Sequence, residues 1–352
     1  MNKKNTLISI SLLFLAVSAC KNQDHTYNEI LAIKDFGSPI ALIGDKVASI
    51  TNEVPLYGLT DCGDYLLSRI TTKQTYAFKL IRKSDFQEIL SICPLGEGPE
   101  EYFDPTECEY SYSTDNVLIL ESDKSLLREI NITESLQAGN TVAKSQSSYR
   151  KSGKRIWNLF VSNSGKQLAY ILESGYFSYY EIQPEKQLLE KDLRSNPIKL
   201  AELYKPNAIY ISQSLSTFNP QKGVAFVSYE NLRRFDLISI DKGLLKIFYF
   251  NEKKTPNEAA EAMGKLYQWY NWDIASTKEY IYLGYALEER KSEEEELEQT
   301  HILVFDWEGN PVKHLVLPIP AKSFAVSQDG KKLYTLNESE TQPNSISVYD
   351  IK

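Results

Sequence analysis

Short apolar segments recur along the chain, and each one directly follows a polar turn. The turns lie at 62–64, 114–116, 163–166, 220–223, 277–279 and 328–331. Taking residues 63, 116, 165, 223, 279 and 330 as anchors, successive copies are 49 to 58 residues apart. A period this regular indicates one structural unit repeated six times.

The third unit shows most plainly what each repeat contains. Its four apolar segments, rich in strand-favouring residues, are 155–162, 167–173, 176–182 and 188–193. Short strands separated by turns at regular spacing are typical of all-β proteins. Six units of four strands predict a six-bladed β-propeller with four-stranded blades. Two packed β-sandwiches are the alternative, but they would not explain the six-fold period.

The last unit contains only three strand-like segments, at 321–327, 331–337 and 345–351. A blade with three strands would leave the ring open and expose a sheet edge. The amino-terminal segment 40–51 is apolar enough to supply the missing strand. We therefore predict that this segment completes the last blade and closes the ring.

The first twenty residues have the three parts of a secretory signal. Lys3 and Lys4 are followed by the apolar run 7–17, which is shorter than the roughly 20 residues that a membrane-spanning helix needs. Small residues then lead to Cys20. This arrangement predicts a lipoprotein signal with lipid on Cys20. An ordinary secretory signal that adjoins a cysteine is the alternative.

The predicted cleavage divides the chain into three parts. Residues 1–19 form the signal peptide, 20–35 the lipidated cysteine and a polar tether, and 36–352 the six-bladed propeller. The formal net charge of −8 becomes more negative by two when the signal and its lysines are removed. An acidic chain repels phosphate backbones, so we expect no binding to nucleic acid. A hydrophobic content of 42% supports a large core and excludes general disorder.

The remaining cysteines are Cys62, Cys93 and Cys108. Their number is odd, so they cannot all pair within the chain. Cys93 and Cys108 could bridge one loop, or all three could be buried thiols that act as small hydrophobic side chains. No pair has the spacing of metal ligands, and we expect neither a metal nor a cofactor.

Histidines and acidic runs offer little catalytic chemistry. His25, His301 and His314 are the only histidines, which argues against a zinc site or a catalytic triad. The acidic run 288–298 lacks calcium-loop spacing and reads as a solvated hairpin loop. Catalysis by carboxylates alone stays open, because the chain contains 47 Asp and Glu residues.

Two motifs resemble those of a known family. The segment 327–334, Ser-Gln-Asp-Gly-Lys-Lys-Leu-Tyr, resembles the Ser-x-Asp-Gly-Lys turn of TolB-type propellers, and 163–170 is a weaker copy. The segment 95–102, Leu-Gly-Glu-Gly-Pro-Glu-Glu-Tyr, resembles the Gly-x-Gly-Pro-x-Glu-Phe signature of TolB-like six-bladed propeller lipoproteins of Bacteroidota. Glu97 stands where that family usually has a basic residue, and Tyr102 replaces its Phe.

The resemblance implies an anchored propeller and no established reaction, so no catalytic residue is carried over from the family. The segment 95–102 lacks the helix and the Lys-Ser/Thr pair of a phosphate-binding loop. We expect it to be a structural turn between blades.

The longest connections are 96–104, 195–206, 255–268 and 288–300. Propeller topology puts them on the face opposite the short turns between first and second strands, so this loop-rich face is the candidate binding face. Segment 255–268 is predicted to be a helix, with Thr255 as N-cap, Pro256 at the first position and Glu258 closing a capping box.

An aromatic group follows this predicted helix and supplies the candidate ligand-binding residues. They are Tyr267, Trp269, Tyr270 and Trp272. Such side chains could stack on sugar rings or hold a peptide, and packing between blades is the alternative. Strand alternation turns Trp269 away from Tyr270 and Trp272, so all four cannot face one ligand.

Taken together, these features predict a non-enzymatic, lipid-anchored propeller of the outer membrane, on its periplasmic or cell-surface side. It would bind an envelope protein, peptide or glycan on the loop-rich face, and it would contact the membrane only through its lipid. A carboxylate-dependent polysaccharide hydrolase or lyase is the alternative function. A scaffold subunit of a larger envelope complex is a third, and it predicts an exposed apolar patch on the same face.

Overall fold

Six β-sheets surround one central channel in the computed structural model of the chain. The structure describes residues 27–50, 55–70, 75–111, 113–149, 155–173, 176–183, 188–192, 214–253, 258, 271–287, 299–337 and 344–351. The predicted all-β, six-bladed propeller is confirmed. No helix among these residues has both the length and the apolar character needed to cross a bilayer.

Three strands precede the first blade: β1 (Tyr27–Leu31), β2 (Ile40–Ala41) and β3 (Gly44–Ser49). Blade 1 contains β4 (Leu56–Cys62), β5 (Tyr65–Ile70), β6 (Tyr76–Arg82) and β7 (Glu88–Pro94). Blade 2 contains β8 (Pro105–Ser111), β9 (Asn116–Glu121), β10 (Leu126–Asn131) and β11 (Ala143–Ser148), and helix α1 (Ile132–Ala138) joins its last two strands. Blade 3 contains β12 (Arg155–Val161), β13 (Gln167–Glu173), β14 (Tyr176–Gln183) and β15 (Leu188–Asp192).

The second half of the chain continues the pattern. Blade 4 contains β16 (Ser214–Asn219), β17 (Val224–Tyr229), β18 (Arg234–Ser239) and β19 (Gly243–Phe250). Blade 5 contains β20 (Asn271–Ser276), β21 (Tyr280–Tyr285), β22 (Thr300–Asp306) and β23 (Pro311–Leu317). Blade 6 contains β24 (Ala321–Val326), β25 (Lys332–Asn337) and β26 (Ser345–Asp350). In every blade the first strand lines the channel.

The ring closes as predicted, because β3 pairs antiparallel with β26 and becomes the fourth strand of blade 6. The predicted single segment 40–51 is divided, however, and its first part, β2, pairs in parallel with β23 of blade 5. Strand β1 likewise pairs in parallel with β19 of blade 4. Blades 4 and 5 therefore have five strands rather than the predicted four. We call residues 27–50 the amino-terminal strap.

The strap corrects the predicted domain boundary, since residues 27–35 of the expected tether belong to the propeller. Leu31 and Phe36 are the reason, because both are buried in the cluster that blades 4 and 5 share. The Phe36 ring lies 5.0 Å from the Phe305 ring in an edge-to-face arrangement and 6.4 Å from the Phe250 ring. The sequence around these two side chains is polar, which is typical of a linker, but their burial holds the segment against blades 4 and 5.

The repeating turns are those predicted from the sequence. Gly63, Gly165, Gly223 and Gly330 all have left-handed backbone angles, with φ between 63° and 80°. Glycine adopts such angles without steric cost, which explains its place in four of the six turns. Asp115 takes the same role in blade 2 with φ 55°, and aspartate tolerates this region better than most residues.

Apolar side chains fill the spaces between neighbouring blades. In β17 all six residues are buried, because one side of the strand faces blade 3 and the other faces blade 5. Phe226 of this strand contacts Phe305 of blade 5 at 5.1 Å between ring centres. Cys62 and Cys93 are also buried, in the cluster shared by blades 1 and 2. The side chain of Cys108 lies outside the described set, so the suggested Cys93–Cys108 bridge stays a prediction.

Candidate functional site

A cavity of about 720 Å³ occupies the central channel. All six inner strands contribute to its lining, and so do the short turns that follow five of them. The cavity therefore lies toward the carboxyl ends of the inner strands, at the face opposite the loop-rich face predicted to bind. Its size is in the ordinary range for small-molecule sites.

β-Bulges shape the wall of this channel. The pairing of the first with the second strand shifts register in β4, β8, β12, β20 and β24. A bulge changes the direction in which the following side chains point. The residue that resumes the pairing is polar in every case, and Ser216 holds the corresponding place in β16. These residues, here called the polar belt, are Thr60, Glu109, Asn158, Ser216, Asp273 and Ser323.

Part of the polar belt joins one blade to the next. The Asp273 carboxylate accepts hydrogen bonds from the Ser323 hydroxyl at 2.6 Å and from the Phe324 N–H at 2.7 Å. Ser323 in turn accepts from the Leu59 N–H at 2.9 Å, so blades 5, 6 and 1 are linked in series. With a third bond, from the Ile274 N–H at 2.8 Å, Asp273 is held by three protein donors.

Glu109 occupies the same place in blade 2 but makes far fewer contacts. Among the described residues its carboxylate accepts one hydrogen bond, from the Val161 N–H of blade 3 at 3.3 Å. Burial raises the pKa of Glu109 to about 7, and the bond from Val161 opposes this rise only in part. Glu109 lines the cavity, so its carboxylate has acceptor capacity that faces open space.

The cavity carries more acidic than basic groups. Asp61 is bound by the Lys83 ammonium, and Glu129 accepts from the Asn116 amide and the Ser145 hydroxyl, both at 2.9 Å. Within the described part of the wall, Lys278 is the one basic residue. Of the four carboxylates that the described lining contains, three are held by several protein donors and Glu109 is not. The described residues include no group of three or more His, Cys, Asp or Glu side chains that could hold a metal ion.

The two histidines of blade 5 lie against each other, with His301 Nδ1 and His314 Nε2 2.9 Å apart. Burial lowers the pKa of His301 to about 4, and the neighbouring His314 adds to this effect. Burial also lowers the pKa of His314. Both residues are on the outer strands of their blade, away from the cavity, so they contribute nothing to its chemistry.

Three exposed aromatic side chains lie at the opposite end of the channel. Tyr57, Phe103 and Trp157 are 49%, 43% and 43% exposed, and we call them the aromatic rim. Tyr57 and Trp157 stand near the amino-terminal ends of β4 and β12, and Phe103 lies two residues before β8. Inner strands run in the same direction around the ring, so these side chains belong to the loop-rich face.

Charged groups accompany the aromatic rim. Arg69 pairs with Tyr57 in the strand register and donates to Asp104, the neighbour of Phe103, at 2.8 Å. The Lys322 ammonium lies 5.5 Å from the centre of the Tyr57 ring. Sequence reasoning missed both this rim and the polar belt. The belt had a signal, because it recurs a few residues before the repeating turns with the same period.

Of the four aromatic residues predicted to bind a ligand, the structure describes Trp272 alone. Tyr267, Trp269 and Tyr270 lie outside the described residues, as does the predicted helix apart from Glu258, which is helical. Trp272 is the bulged residue of β20, partly buried, and its ring packs edge-to-face on Phe324 at 5.3 Å. A side chain at Gly284 would meet this ring at 2.4 Å. Trp272 thus packs between strands, and ligand binding by the group stays a prediction.

The signature at 95–102 forms a closed turn between blades 1 and 2. The Glu101 carboxylate folds back and accepts from the Gly98 N–H at 2.8 Å. A Cβ atom on Gly96 would stand 1.9 Å from this carboxylate, and one on Gly98 would stand 3.1 Å from it. A side chain at Gly96 would therefore displace the Glu101 carboxylate from this position, whereas one at Gly98 would need only a small shift of it. Tyr102 is buried beneath the Arg128 guanidinium, at 4.2 Å.

Comparisons with known proteins agree with this architecture. A family model described as TolB-like 6-blade propeller-like matches residues 59–329. A Bacteroides vulgatus protein of the DUF4221 family is 12% identical, with a TM-score of 0.59 over 88% of this chain and 97% of its own. A Bacteroides fragilis protein described as exported is 9% identical, with a TM-score of 0.55 over 92% of this chain and 99% of its own. No curated protein matches the sequence significantly.

Relatives this distant in sequence share the fold and carry no further information about activity. The family model is different, because it covers well over half of the 352 residues and includes both the signature turn and most of the repeating turns. By this match, the chain is a member of the TolB-like 6-blade propeller-like family.

Proposed function

We propose that the protein is a non-enzymatic, lipid-anchored propeller of the bacterial envelope that binds a partner protein on its loop-rich face. The aromatic rim is the observation that carries this proposal. Large aromatic side chains are costly to leave in water, and Trp, Tyr and Arg dominate the binding energy of protein interfaces. Tyr57, Trp157 and Arg69 bring these three residue types to one face.

The surroundings of the rim also favour a protein partner. Arg69, Asp104 and Lys322 place both charges beside the exposed rings, and an apolar centre with polar neighbours is typical of non-obligate interfaces. The predicted aromatic group at 267–272 leads into β20 at the same end of its inner strand. A glycan could also stack on such rings, and a scaffold role would use the same surface.

Carboxylate-dependent hydrolysis has weaker support. That chemistry needs two available carboxyl groups that face one substrate. Among the described residues of the cavity, Asp61, Glu129 and Asp273 are held by protein donors, and Glu109 alone keeps spare acceptor capacity. The geometry therefore supports binding rather than polysaccharide cleavage.

The test is cross-linking in intact cells followed by affinity capture of the full-length protein. Tyr57→Ser with Trp157→Ser forms the rim variant. Ile89→Ser, which removes an apolar side chain that is 37% exposed near the start of β7, on the opposite face of the propeller, is the matched control. Both variants are checked by thermal melts. Each captured protein is then purified and titrated against all three forms.

A partner that binds the wild type and the control but loses about tenfold or more in affinity for the rim variant supports the proposal, since one interface aromatic contributes about 1–2 kcal/mol. Equal affinity for all three forms overturns it. A glycan array is probed with the same variants. If glycans but no protein lose affinity for the rim variant, the partner is a glycan and not a protein.

The anchor and location are proposed on the signal sequence. We expect Cys20→Ser to abolish incorporation of an alkyne-labelled fatty acid, while Cys62→Ser leaves it unchanged. Labelling that persists in Cys20→Ser would contradict lipidation at this residue. Protease added to intact cells and to cells with a permeabilised outer membrane then distinguishes the cell-surface side from the periplasmic side.

A further inference from the structure

We infer that the central channel holds a second binding site, for a small hydroxyl-rich organic cation, with the Glu109 carboxylate as its charged contact. This site lies at the opposite end of the channel from the aromatic rim. It is therefore independent of the proposed partner interface, and either can fail without the other.

The first step is the contrast between two equivalent residues. Asp273 and Glu109 both follow a bulge in an inner strand, and both accept from a backbone N–H of the next blade. Asp273 receives two further hydrogen bonds, whereas Glu109 receives none among the described residues. Glu109 is half-buried, and its one long hydrogen bond leaves most of the acceptor capacity of its carboxylate open to the channel. A ligand that donates to Glu109 would use that capacity.

The second step is the shape of the cavity around Glu109. At this point the channel widens into the space between blades 2 and 3, where Leu118, Leu127 and Gln167 join the lining. The widening gives the cavity a partly apolar arm beside the carboxylate. A ligand with a short carbon chain or ring can use the arm while its cationic group faces Glu109.

The third step is the chemistry of the rest of the lining. Hydroxyl and amide side chains dominate the wall. They include Ser111, Asn158, Ser216, Thr217, Ser276 and Gln221. Such groups both donate and accept hydrogen bonds, which suits a polyhydroxylated molecule. The excess of carboxylates over Lys278 selects for positive charge, and the lack of a metal-binding group in the described wall favours an organic cation over a metal ion.

N-Methyl-D-glucamine is a suitable probe, because it combines a polyol chain with a protonated amine. Sorbitol is its matched control, since it has the hydroxyl groups and lacks the amine. We expect calorimetric titration of the full-length protein at pH 8 to give binding of N-methyl-D-glucamine at least about tenfold tighter than of sorbitol.

Two variants locate the contact. Glu109→Gln keeps an oxygen that can accept from the Val161 N–H, so we expect it to fold and to lose about tenfold or more in affinity for the amine. Glu308→Gln removes a carboxylate that pairs with Lys222 outside the cavity lining, and we expect at most a twofold change. Chemical denaturation confirms that both variants are folded.

The dependence on pH adds a second readout. Below neutral pH Glu109 takes up a proton, so amine binding should weaken by about tenfold from pH 8 to pH 5 in the wild type and stay constant in Glu109→Gln. Asp61, Tyr110, Glu129, Asp273 and Lys278 are the other titratable groups that face the cavity. Absence of binding at 10 mM probe, equal affinity for sorbitol, or an unchanged Glu109→Gln variant would overturn the inference.

Discussion

At the scale of single residues, the signature turn shows why a short motif can recur in a family without a catalytic role. Glu101 supplies the side chain that closes the turn, and Gly96 and Gly98 supply the empty space in which its carboxylate lies. Tyr102 then enters the core beneath Arg128. The motif is a single steric and hydrogen-bonded unit, so its members depend on one another.

This dependence predicts the effect of Gly96→Ala. The added Cβ would overlap the Glu101 carboxylate, so we expect a loss of about 1–3 kcal/mol in the free energy of unfolding, measured by urea denaturation. Glu101→Ala alone should cost about 1 kcal/mol through the lost hydrogen bond. The double variant should lose less free energy of unfolding than the two single variants do in sum, because Glu101→Ala removes the side chain that the new Cβ atom at position 96 would meet. Strict additivity would contradict this account.

Glu109 makes a prediction about stability that does not depend on any ligand. Its pKa is higher in the folded protein than the ordinary value of 4.5, so the folded state binds this proton more readily than the unfolded state. The resulting stability is fully present below pH 4.5 and is lost as pH rises through about 7. We expect Glu109→Gln to exceed the wild type by about 1–3 kcal/mol at pH 8 in urea denaturation. A difference that does not grow between pH 4.5 and pH 8 would contradict the raised pKa.

The turn at 327–331 illustrates a residue pattern read correctly from the sequence. Ser327 donates to Asp329 at 2.7 Å, and the Gly330 N–H closes the turn on the Ser327 carbonyl at 2.8 Å. The bonds from Ser327 and Lys331 lower the pKa of Asp329 to about 2. All of these contacts are local, which is why the motif can be interpreted without knowledge of the fold.

At the scale of elements, the amino-terminal strap is the feature with the clearest consequence. Its strands β1, β2 and β3 add to blades 4, 5 and 6 in succession. A strand that pairs in parallel with the outer strand of a blade does so through backbone hydrogen bonds. Many side chains are compatible with such pairing, so the sequence pattern does not predict it. Burial of a few apolar residues then decides where the strap is held.

Phe36 should be the strongest of these contacts. We expect Phe36→Ala to lower the free energy of unfolding by about 3–4 kcal/mol, since the ring is buried against two other aromatic rings. Ile43→Ala is the matched control, because Ile43 belongs to the same strap and is 84% exposed. Its effect should stay within about 0.5 kcal/mol. Similar losses for both variants would show that the strap is not held through Phe36.

At the scale of the whole molecule, closure of the ring is the property that one strand decides. Without β3, the outer strand β26 would expose its unpaired backbone groups, and such an edge recruits other strands. We expect a variant that lacks residues 27–50 to form dimers and larger species in size-exclusion chromatography. Addition of a synthetic peptide of residues 27–50 should restore the elution volume of the full-length chain. A variant that elutes as the full-length chain does without the peptide would contradict this role of the strap.

The channel also belongs to this scale, because no single blade contains it. Its wall takes a belt residue from five of the six inner strands, at Thr60, Glu109, Asn158, Ser216 and Asp273. We expect this wall to bind a ligand through the Glu109 carboxylate, which has hydrogen-bond acceptor capacity that the protein does not use. Which end of the channel the protein uses in the cell is therefore a question that the rim variants and the Glu109 variants answer separately.

The sequence by itself determined the repeat, the turns and the closing strand. These depend on residues near one another in the chain: apolar alternation specifies strands, and glycine at Gly63, Gly165, Gly223 and Gly330 specifies left-handed turns. The strand bounds predicted for the third unit agree with β12 to β15 to within one residue.

Only the tertiary structure decided where the strands β1 and β2 of the strap pair, the polar belt and the difference between Asp273 and Glu109. A strand that joins a distant blade edge is defined by its partner, and a bulge is defined by the register of two strands. Two of the three hydrogen bonds of Asp273 come from a neighbouring blade some fifty residues away. Whether a carboxylate is satisfied by protein or left for a ligand depends on such distant donors, which local patterns do not contain.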